Sequence, residues 1–364
     1  MKKNTIILMI PGVIFLLLAS CLKKSDPGTP AVESRALKDT VGFSFTAAQI
    51  ERVVQTSEKL EADSLRRNSA AAWIAGICPH DDHLYAGRVY VHLFQNMAAK
   101  RYVIFGVAHK AADWGASDVL IFDSYPSWRG PFGPVRVSDL RDQLVRRLPQ
   151  AGFVVNDAWQ AEEHSVEGIV PFIQYYRRDA EIVSILVPYM NRERIEKLSR
   201  QLADALAQVI QERGWIIGRD VAFICSNDGD HYGDADWGGR NFAPFGADEA
   251  GYARATGQDR DLIQTTLAGE LTSDKLRMFC QRVWGDTDLK DYKIRWCGRF
   301  AIPLGLNTVR SLREKLNQPA LTGYALRYDT SYHLGLLPLE DIGLGTTAPA
   351  NIRHWVGYSA IGYR

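Results

Sequence analysis

Residues 102–107 read Tyr-Val-Ile-Phe-Gly-Val, a run that is typical of a strand buried on both faces. Four more runs of strand length occur along the chain: Trp73–Cys78, Asp118–Phe122, Ile182–Val187 and Val221–Cys225. Apolar residues recur at helical spacing in two further segments, Phe45–Arg66 and Arg192–Glu212. This alternation predicts an α/β fold of three layers, αβα, in which helices cover both faces of a largely parallel or mixed central sheet.

The amino terminus has the pattern of an export signal. Lys2 and Lys3 precede an apolar run that closes on Leu18-Ala19-Ser20-Cys21, and this run is too short to span a bilayer, which takes about 20 apolar residues. The closing residues resemble the lipobox of bacterial lipoproteins, in which the cysteine is acylated. We therefore expect residues 1–20 to be a signal peptide and Cys21 to be a lipidated membrane anchor. The alternative is an ordinary signal peptide with a chance cysteine.

The rest of the chain has two parts that differ in composition. Residues 21–38 are rich in Lys, Ser, Pro, Gly and Thr, which cannot bury enough apolar surface to become ordered, so we expect a lipidated flexible tether. Residues 39–364 are long enough for one α/β domain or two closely packed lobes. Leucine rather than aspartate follows the anchor cysteine, and by resemblance to Gram-negative lipoproteins this favours the outer membrane.

The formal net charge of +1 over 364 residues gives no reason to expect a nucleic-acid partner. Four cysteines remain besides the predicted anchor. Two of them, Cys78 and Cys225, lie inside apolar runs, where a thiol usually behaves as a small buried hydrophobe. Because a chain of this length does not need cross-links for stability, we expect no disulfide framework.

Three short polar clusters stand out, namely Pro79–His83, Glu163–Glu167 and Asn227–Gly233. His80 and His109 each follow a predicted strand, and Asp228 and His231 follow another. In α/β sheets, ligands bind beyond the carboxyl ends of the strands. Clustered imidazoles and carboxylates carry a desolvation cost that a structural loop seldom needs, so they favour a metal or acid–base site. Hydrogen-bonded turns remain the structural alternative for each cluster.

His164 opens a segment with helical spacing of apolar residues, which predicts that it lies near a helix N-terminus with Glu167 one turn further on. The helix dipole there would favour the neutral imidazole, which suits a metal ligand or a base. Alternatively, Glu163 and Ser165 simply cap the helix. Further along, Cys297 precedes an arginine by two positions, which could lower the pKa of the thiol.

Taken in order, these motifs resemble those of the Memo family, protein B of the AmmeMemoRadiSam group. The matching segments are Pro79-His80, Gly106-Val107-Ala108-His109, Glu163-His164-Ser165-Val166-Glu167, Ser226-Asn227-Asp228-Gly229-Asp230-His231-Tyr232-Gly233 and Cys297-Gly298-Arg299. Each motif alone is weak, but five in order are specific. The resemblance extends over roughly residues 73–363.

The resemblance implies a fold like that of class III extradiol dioxygenases (LigB-like) and a pocket with one redox metal, iron or copper. It implies three metal ligands, His80, His109 and Cys297. It also implies acid–base or supporting residues beside them, Asp228, His231 and His164. A two-histidine site with a thiolate suits soft or intermediate metals. The leading hypothesis is thus a membrane-tethered metal protein with a dioxygenase-like or other oxidoreductase activity on an unidentified substrate.

Two other functions fit the sequence. A binding module at the cell surface would use the same pocket to capture a peptide, a small ligand or a metal without catalysis. A zinc hydrolase would use His164 and Glu167, whose spacing matches the His-x-x-Glu pair of some metallopeptidases. The sequence contains no Gly-x-Ser-x-Gly elbow, no Walker-type phosphate loop and no His-Glu-x-x-His motif.

Overall fold

A computed structural model describes residues 34–65, 72–233, 242–285 and 288–364. The predicted signal peptide, the Cys21 anchor and most of the predicted tether lie outside these residues. From residue 33 to residue 364 the chain forms one compact unit. Across the described ranges, none of the helices is both long and apolar enough to cross a membrane.

The described helices are α1 Ala47–Leu60, α2 His83–Phe94, α3 Leu140–Arg147, α4 Asp157–Glu162, α5 Val170–Tyr176, α6 Arg192–Arg213, α7 Glu249–Leu262, α8 Ser273–Val283, α9 Ala301–Lys315 and α10 Ser331–Leu334. A 3-10 turn, Gln150–Gly152, and a π-helical stretch, Ile263–Leu267, accompany them. The strands are β1 Ala75–Cys78, β2 Arg101–Val107, β3 Leu120–Phe122, β4 Ser127–Trp128, β5 Val135–Val137, β6 Phe153–Val155, β7 Glu181–Val187, β8 Val221–Ser226, β9 Asp228–Gly233, β10 Gly269–Glu270, β11 Thr322–Thr330 and β12 His354–Tyr363.

The strands form one mixed sheet. Its centre consists of four parallel neighbours in the order β1, β8, β2 and β7. Beyond β1 the sheet continues with the antiparallel strands β12, β11 and β10, and beyond β7 it continues with β3 and β6. β9 pairs with β12, and the β4–β5 hairpin joins β7 through β5. The prediction of a largely parallel or mixed sheet is confirmed.

Strand β2 shows how the layers are built. Its alternate residues Val103 and Phe105 belong to a hydrophobic core that includes residues of α6 and α9. Tyr102 and Ile104 point to the other face, where the core includes residues of α1, α2 and α5. Each large apolar side chain buried in this way contributes about 1.5–3 kcal/mol to folding. Helices therefore cover both faces of the sheet, as the three-layer prediction requires.

Residues 34–38, which composition assigns to the tether, pack against the domain. Arg35 is only 1% exposed, and its backbone pairs with that of Trp128 in β4. Arg35 N donates to Ser127 O at 2.8 Å, and Arg129 N donates to Arg35 O at 2.9 Å. Composition does not reveal this attachment because a buried arginine and backbone pairing, rather than apolar surface, hold the segment.

Candidate metal centre

The site lies beyond the carboxyl ends of three adjacent strands. His80 follows β1, His109 follows β2, and Asp228 comes directly after the turn that ends β8. Cys297 reaches the same place from a loop before α9, where its backbone N–H donates to Asp228 O at 3.0 Å. His231 lies on β9. His80, His109 and Asp228 therefore lie at the sheet edge that the sequence predicts, whereas His231 lies within a strand, and the sequence predicts no such position for Cys297.

A cavity of about 540 Å³ opens at this edge. All six predicted site residues line it: His80, His109, His164, Asp228, His231 and Cys297. Residues of the segment 38–43, together with Thr347 and Ala348, form part of its wall. Thr347 is held there because Asp82 accepts hydrogen bonds from its backbone N–H at 2.6 Å and from its hydroxyl at 3.1 Å. This volume suits a small-molecule ligand.

His80 is buried and its ring is oriented by a serine. Ser226 donates its hydroxyl to Ser165 O at 2.6 Å, so Ser226 Oγ must accept the 2.7 Å hydrogen bond from His80 Nδ1. The proton of the neutral ring therefore resides on Nδ1. His80 Nε2 then carries a lone pair, is buried, and has no hydrogen-bond partner. An orphaned imidazole nitrogen of this kind is what a metal ion would satisfy.

His109 is oriented in the same sense by a carboxylate. Glu163 accepts from His109 Nδ1 at 2.9 Å and from the His109 backbone N–H at 2.8 Å. Burial opposes ionisation of Glu163, but His109 outweighs it and holds the pKa of Glu163 far below its usual range. A carboxylate that orients a ligating imidazole is a common support of metal sites. His109 Nε2 is thus left for the cavity.

His164 stacks on His109, with ring centroids 4.6 Å apart and an interplanar angle of 10°. The predicted helix start is wrong, because α5 begins only at Val170 and residues 165–169 form turns. Two features explain this. Glu163 accepts hydrogen bonds from the backbone N–H groups of His164 and Ser165, at 2.8 and 2.9 Å, and proline follows Val170 in the first turn of α5.

Among the residues that the structure describes, two groups of side chains could hold a metal ion, and His80 belongs to both. One consists of three imidazoles, His80, His109 and His164, and the other of mixed donors, His80, Asp228 and Cys297. Within each group the candidate ligand atoms lie within 4.8 Å of one another. The three ligands that the resemblance implies are His80, which belongs to both groups, His109 of the first group and Cys297 of the second.

Burial dominates the protonation of the site. It lowers the pKa of His80 well below the usual value, and burial together with Arg295 lowers the pKa of His231 to about 3. His164 has its pKa lowered to about 4 by burial and by the neighbouring His109. Because these three imidazoles are neutral at pH 7, their lone pairs are available as ligands.

Three other groups shift in the opposite direction. Although burial disfavours its charge, His109 has its pKa raised well above the usual value by Glu163 and by Cys297. Burial raises the pKa of the Asp228 carboxyl and that of the Cys297 thiol. The expectation that the nearby arginine lowers the Cys297 pKa is therefore wrong, since desolvation of the thiolate outweighs the attraction of Arg299.

Cys297 and His231 form a pair in the cavity. Cys297 Sγ lies 3.1 Å from His231 Nε2, and Asp228 Oδ2 lies 3.9 Å from the same nitrogen. All four cysteines of the described residues are free thiols, and Cys297 is the one among them that is partly exposed. A partly accessible thiol beside an imidazole can act as a metal ligand once its proton is lost.

Glu167 and His83, both within the polar motifs, have structural roles. Glu167 is 3% exposed and accepts hydrogen bonds from Arg35 and from the backbone N–H groups of Lys38 and Asp39. His83 accepts from Ser44 N through Nδ1 at 2.9 Å, so its Nε2 donates to a backbone carbonyl. Neither side chain lines the cavity.

Three supporting residues cannot be recognised from the sequence motifs: Ser226, Glu163 as the partner of His109, and Arg35. Ser226 ends the strand that precedes Asp228, and Glu163 directly precedes His164. Their closeness to the predicted site residues in sequence is the one feature that points to these two. Arg35 carries no such signal because 128 residues separate it from Glu163 in sequence.

The chain is similar to several known proteins. A MEMO1 family protein of Pyrococcus horikoshii is 30% identical over 275 residues, 74% of this chain and 84% of that protein. A MEMO1 family protein of Pyrococcus abyssi is 28% identical over 188 residues, 50% of this chain and 61% of that protein. A third, from Pyrobaculum aerophilum, is 32% identical over 166 residues, 44% of this chain and 53% of that protein.

The chain spans about half to two thirds of the length of seven curated relatives that it matches, from 53% to 65%. The family model described as Memo-like protein matches residues 45–345, which include all six predicted site residues. The resemblance inferred from the motifs is confirmed. The chain belongs to the Memo-like protein family.

Proposed function

We propose that this protein binds one redox-active metal ion, iron or copper, through His80, His109 and Cys297, and that it acts as an oxidoreductase on a small molecule. The observation that carries the proposal is the orientation of the imidazoles. Ser226 and Glu163 occupy Nδ1 of His80 and of His109, so Nε2 is the ligand atom of both rings, and His109, whose pKa is raised, gives up its Nε2 proton when the metal binds. The mixture of nitrogen and sulfur donors suits iron or copper.

The residues present fit such an ion. The buried, unpartnered Nε2 of His80 lacks a cation or a donor, and Asp228 Oδ2 lies 3.2 Å away without forming a hydrogen bond to it. A bound iron or copper ion would supply Lewis acidity and one-electron redox chemistry to a ligand in the cavity. The cavity volume of about 540 Å³ leaves room for a small organic substrate beside the ligands.

The protein side chains supply the proton transfers. Cys297 must lose its proton to become a thiolate ligand, and His231 Nε2, 3.1 Å from the sulfur, is placed to relay this proton away as the metal binds. Asp228 Oδ2 lies 3.2 Å from His80 Nε2 and 3.9 Å from His231 Nε2, so its carboxyl group supports proton exchange at His231 once His80 Nε2 binds the metal. His164 lies at the edge of the cavity with a 40% exposed side chain, so it can transfer a proton between substrate and solvent.

The predicted export is part of the proposal. A lipidated Cys21 would tether the domain to a membrane, with the outer membrane favoured, and would leave the cavity open to small molecules or peptides. No observation favours nucleic acid as a partner. Mass spectrometry of the protein from its native membrane fraction tests this part: a diacylglycerol-modified peptide beginning at Cys21 is expected, and an unmodified chain would contradict it.

A non-catalytic binding module remains the second candidate, because the same cavity could capture a ligand without reaction. The zinc-hydrolase hypothesis loses its proposed base, since Glu167 is buried against Arg35 and bonded to backbone N–H groups. A carboxylate held in this way can neither ligate a metal in the cavity nor activate water there.

Metal loading and oxygen uptake test the proposed function. Copper(II) added to the metal-free protein should produce an intense thiolate charge-transfer band, and Cys297→Ser should abolish it, whereas Cys280→Ser, a buried cysteine outside the cavity, should leave it intact. The iron(II)-loaded protein should then consume oxygen with a member of a catechol panel. Metal binding without any oxygen uptake would favour the binding module, and absence of the band would contradict the Cys297 ligand.

A further inference from the structure

Arg35 lies near the metal centre, and its guanidinium bonds three acceptors in other parts of the chain. Its Nε donates to Gln160 O at 2.8 Å, and its two terminal nitrogens donate to Glu163 O and to the Glu167 carboxylate. The guanidinium also stacks on Trp128, with its central carbon 4.2 Å from the ring centroid. All of these partners lie on chain segments that are remote in sequence from Arg35.

The contacts of Arg35 bind two parts of the cavity together. On one side, Glu167 also accepts hydrogen bonds from the backbone N–H groups of Lys38 and Asp39, both at 2.9 Å, which fixes the start of the cavity wall formed by residues 38–43. On the other side, Arg35 holds the carbonyl group of Glu163. A planar guanidinium can satisfy these acceptors simultaneously because its donors are fixed in a fork.

Glu163 carries this restraint to the imidazoles. Its carboxylate accepts from His109 Nδ1 at 2.9 Å, and the same carboxylate accepts from the backbone N–H of His164 at 2.8 Å. If the backbone at Glu163 moves, the carboxylate moves with it, and the tautomer and angle of the His109 ring are no longer fixed. Partners of ligating histidines affect metal affinity about 10- to 100-fold.

We infer that Arg35 is a positioning residue of the metal centre: it fixes Glu163 and thereby the orientation of His109, although it does not itself line the cavity. This inference rests on the proposed metal binding. It also means that the segment preceding the predicted domain boundary is part of the functional unit.

The test uses cobalt(II) as the probe with the chain from residue 22 to residue 364. Arg35→Met removes the guanidinium group but keeps an unbranched side chain. Arg35→Lys keeps the positive charge, but its single ammonium group cannot bond Gln160 O, Glu163 O and the Glu167 carboxylate together. Arg88→Met is the matched control, since Arg88 donates to the buried carboxylate of Glu61 at 2.6 Å and contacts none of the site residues.

Arg35→Met should weaken cobalt(II) binding about tenfold or more, Arg35→Lys should fall between it and the unmodified protein, and Arg88→Met should bind as the unmodified protein does. In the metal-free protein, ¹⁵N NMR should show the Nδ1–H of His109 in a hydrogen bond to Glu163, and this hydrogen bond should be lost in Arg35→Met. Unchanged affinity and an unchanged His109 signal in Arg35→Met would overturn the inference.

If Arg35→Met does not fold, the Arg35→Lys variant provides the test. Weaker cobalt(II) binding by Arg35→Lys would support the inference. A cobalt(II) affinity and a His109 NMR signal equal to those of the unmodified protein would overturn it. If the unmodified protein binds no cobalt(II), the proposed metal function fails, and the NMR comparison still decides whether Arg35 positions His109.

Discussion

Two imidazoles in the cavity are oriented alike by different partners. A serine hydroxyl holds Nδ1 of His80, and a carboxylate holds Nδ1 of His109. Because the carboxylate interaction is charge-assisted, it should matter more for ring basicity than the serine contact does. The residue that controls the site most strongly without binding the metal is therefore Glu163.

Glu163→Gln should weaken metal binding about 10- to 100-fold, because a neutral amide loses the charge that favours Nδ1–H and offers one acceptor oxygen rather than two. Titration of the metal-free protein with cobalt(II) measures this. Glu162→Gln is the control, since Glu162 is 48% exposed and pairs with Lys110 rather than with a site residue. Equal affinities of the two variants would contradict the role of Glu163.

At this scale the sequence reveals some site residues and hides others. His80, His109 and Asp228 are predictable because polar side chains that end buried strands must meet at one sheet edge. The pKa of Cys297 is not predictable, since an adjacent arginine in sequence says nothing about desolvation of the thiol. Arg35 is hidden as well, because only the folded chain brings it to Glu163.

Among the elements, the loop that carries Cys297 depends on a glycine. A Cβ atom on Gly298 would lie 2.7 Å from Asn227 Cβ and 2.7 Å from Ser226 O. Real Cβ atoms do not approach backbone so closely, so the loop would have to move away from the end of β8. The backbone N–H of Gly298 also donates to Asn227 Oδ1 at 2.8 Å, and this bond would be strained.

Gly298→Ala should therefore destabilise the protein by about 1–3 kcal/mol and weaken metal binding by displacing Cys297. Gly257→Ala is the opposite case, because Gly257 lies within α7 with open space around the site of a Cβ, and alanine there should stabilise by about 0.5–1 kcal/mol. Urea denaturation measures both changes. A neutral Gly298→Ala variant with normal metal affinity would show that the loop can adapt.

The junction of α1, α2 and β11 contains a buried carboxylate, Glu61, which bonds Arg88 and His92 and lies near Arg327. Burial raises its pKa, but the bond from His92 and the other partners lower it to about 2. A carboxyl whose pKa is lower in the folded state stabilises fully above its unfolded pKa of about 4.5.

The stabilisation from Glu61 should thus disappear as the pH falls from about 4.5 to about 2. It amounts to about 3 kcal/mol at most, since each pKa unit corresponds to about 1.4 kcal/mol. Urea denaturation of the unmodified protein and of Glu61→Gln at pH 7 and at pH 3 tests this. The stability difference between them should shrink at pH 3, and a constant difference would contradict the assignment.

The strands are predicted correctly because burial on both faces of the sheet determines them. The helix ends are predicted less well because local hydrogen bonds determine where those helices begin and end. The five predicted strands are all present, with ends shifted by at most two residues. The first predicted helix ends at Leu60 instead of Arg66, because Ser64 N–H and hydroxyl both bond Glu61 O and turn the chain. The helix expected at His164 likewise gives way to the hydrogen bonds of Glu163.

For the whole molecule, the parallel order of β1, β8 and β2 matters most. These adjacent strands end at one edge, which places His80, Asp228 and His109 together. His80 and Asp228 are 148 positions apart in sequence. The three-layer arrangement follows from apolar patterning and could be predicted. The packing of residues 34–38 could not, because it depends on the hydrogen bonds and ion pair of one buried arginine, Arg35, and on a short backbone pairing.

The most direct test of the central claim is the metal content of residues 22–364, purified without oxygen and without a histidine tag, measured by mass spectrometry beside two variants. His80→Ala removes the residue shared by both candidate ligand groups, and His333→Ala is the control, since His333 is 70% exposed and pairs with Asp329. We predict about one iron or copper ion per chain in the unmodified protein and in His333→Ala, and none in His80→Ala. A metal-free protein, or metal retained in His80→Ala, would contradict the account.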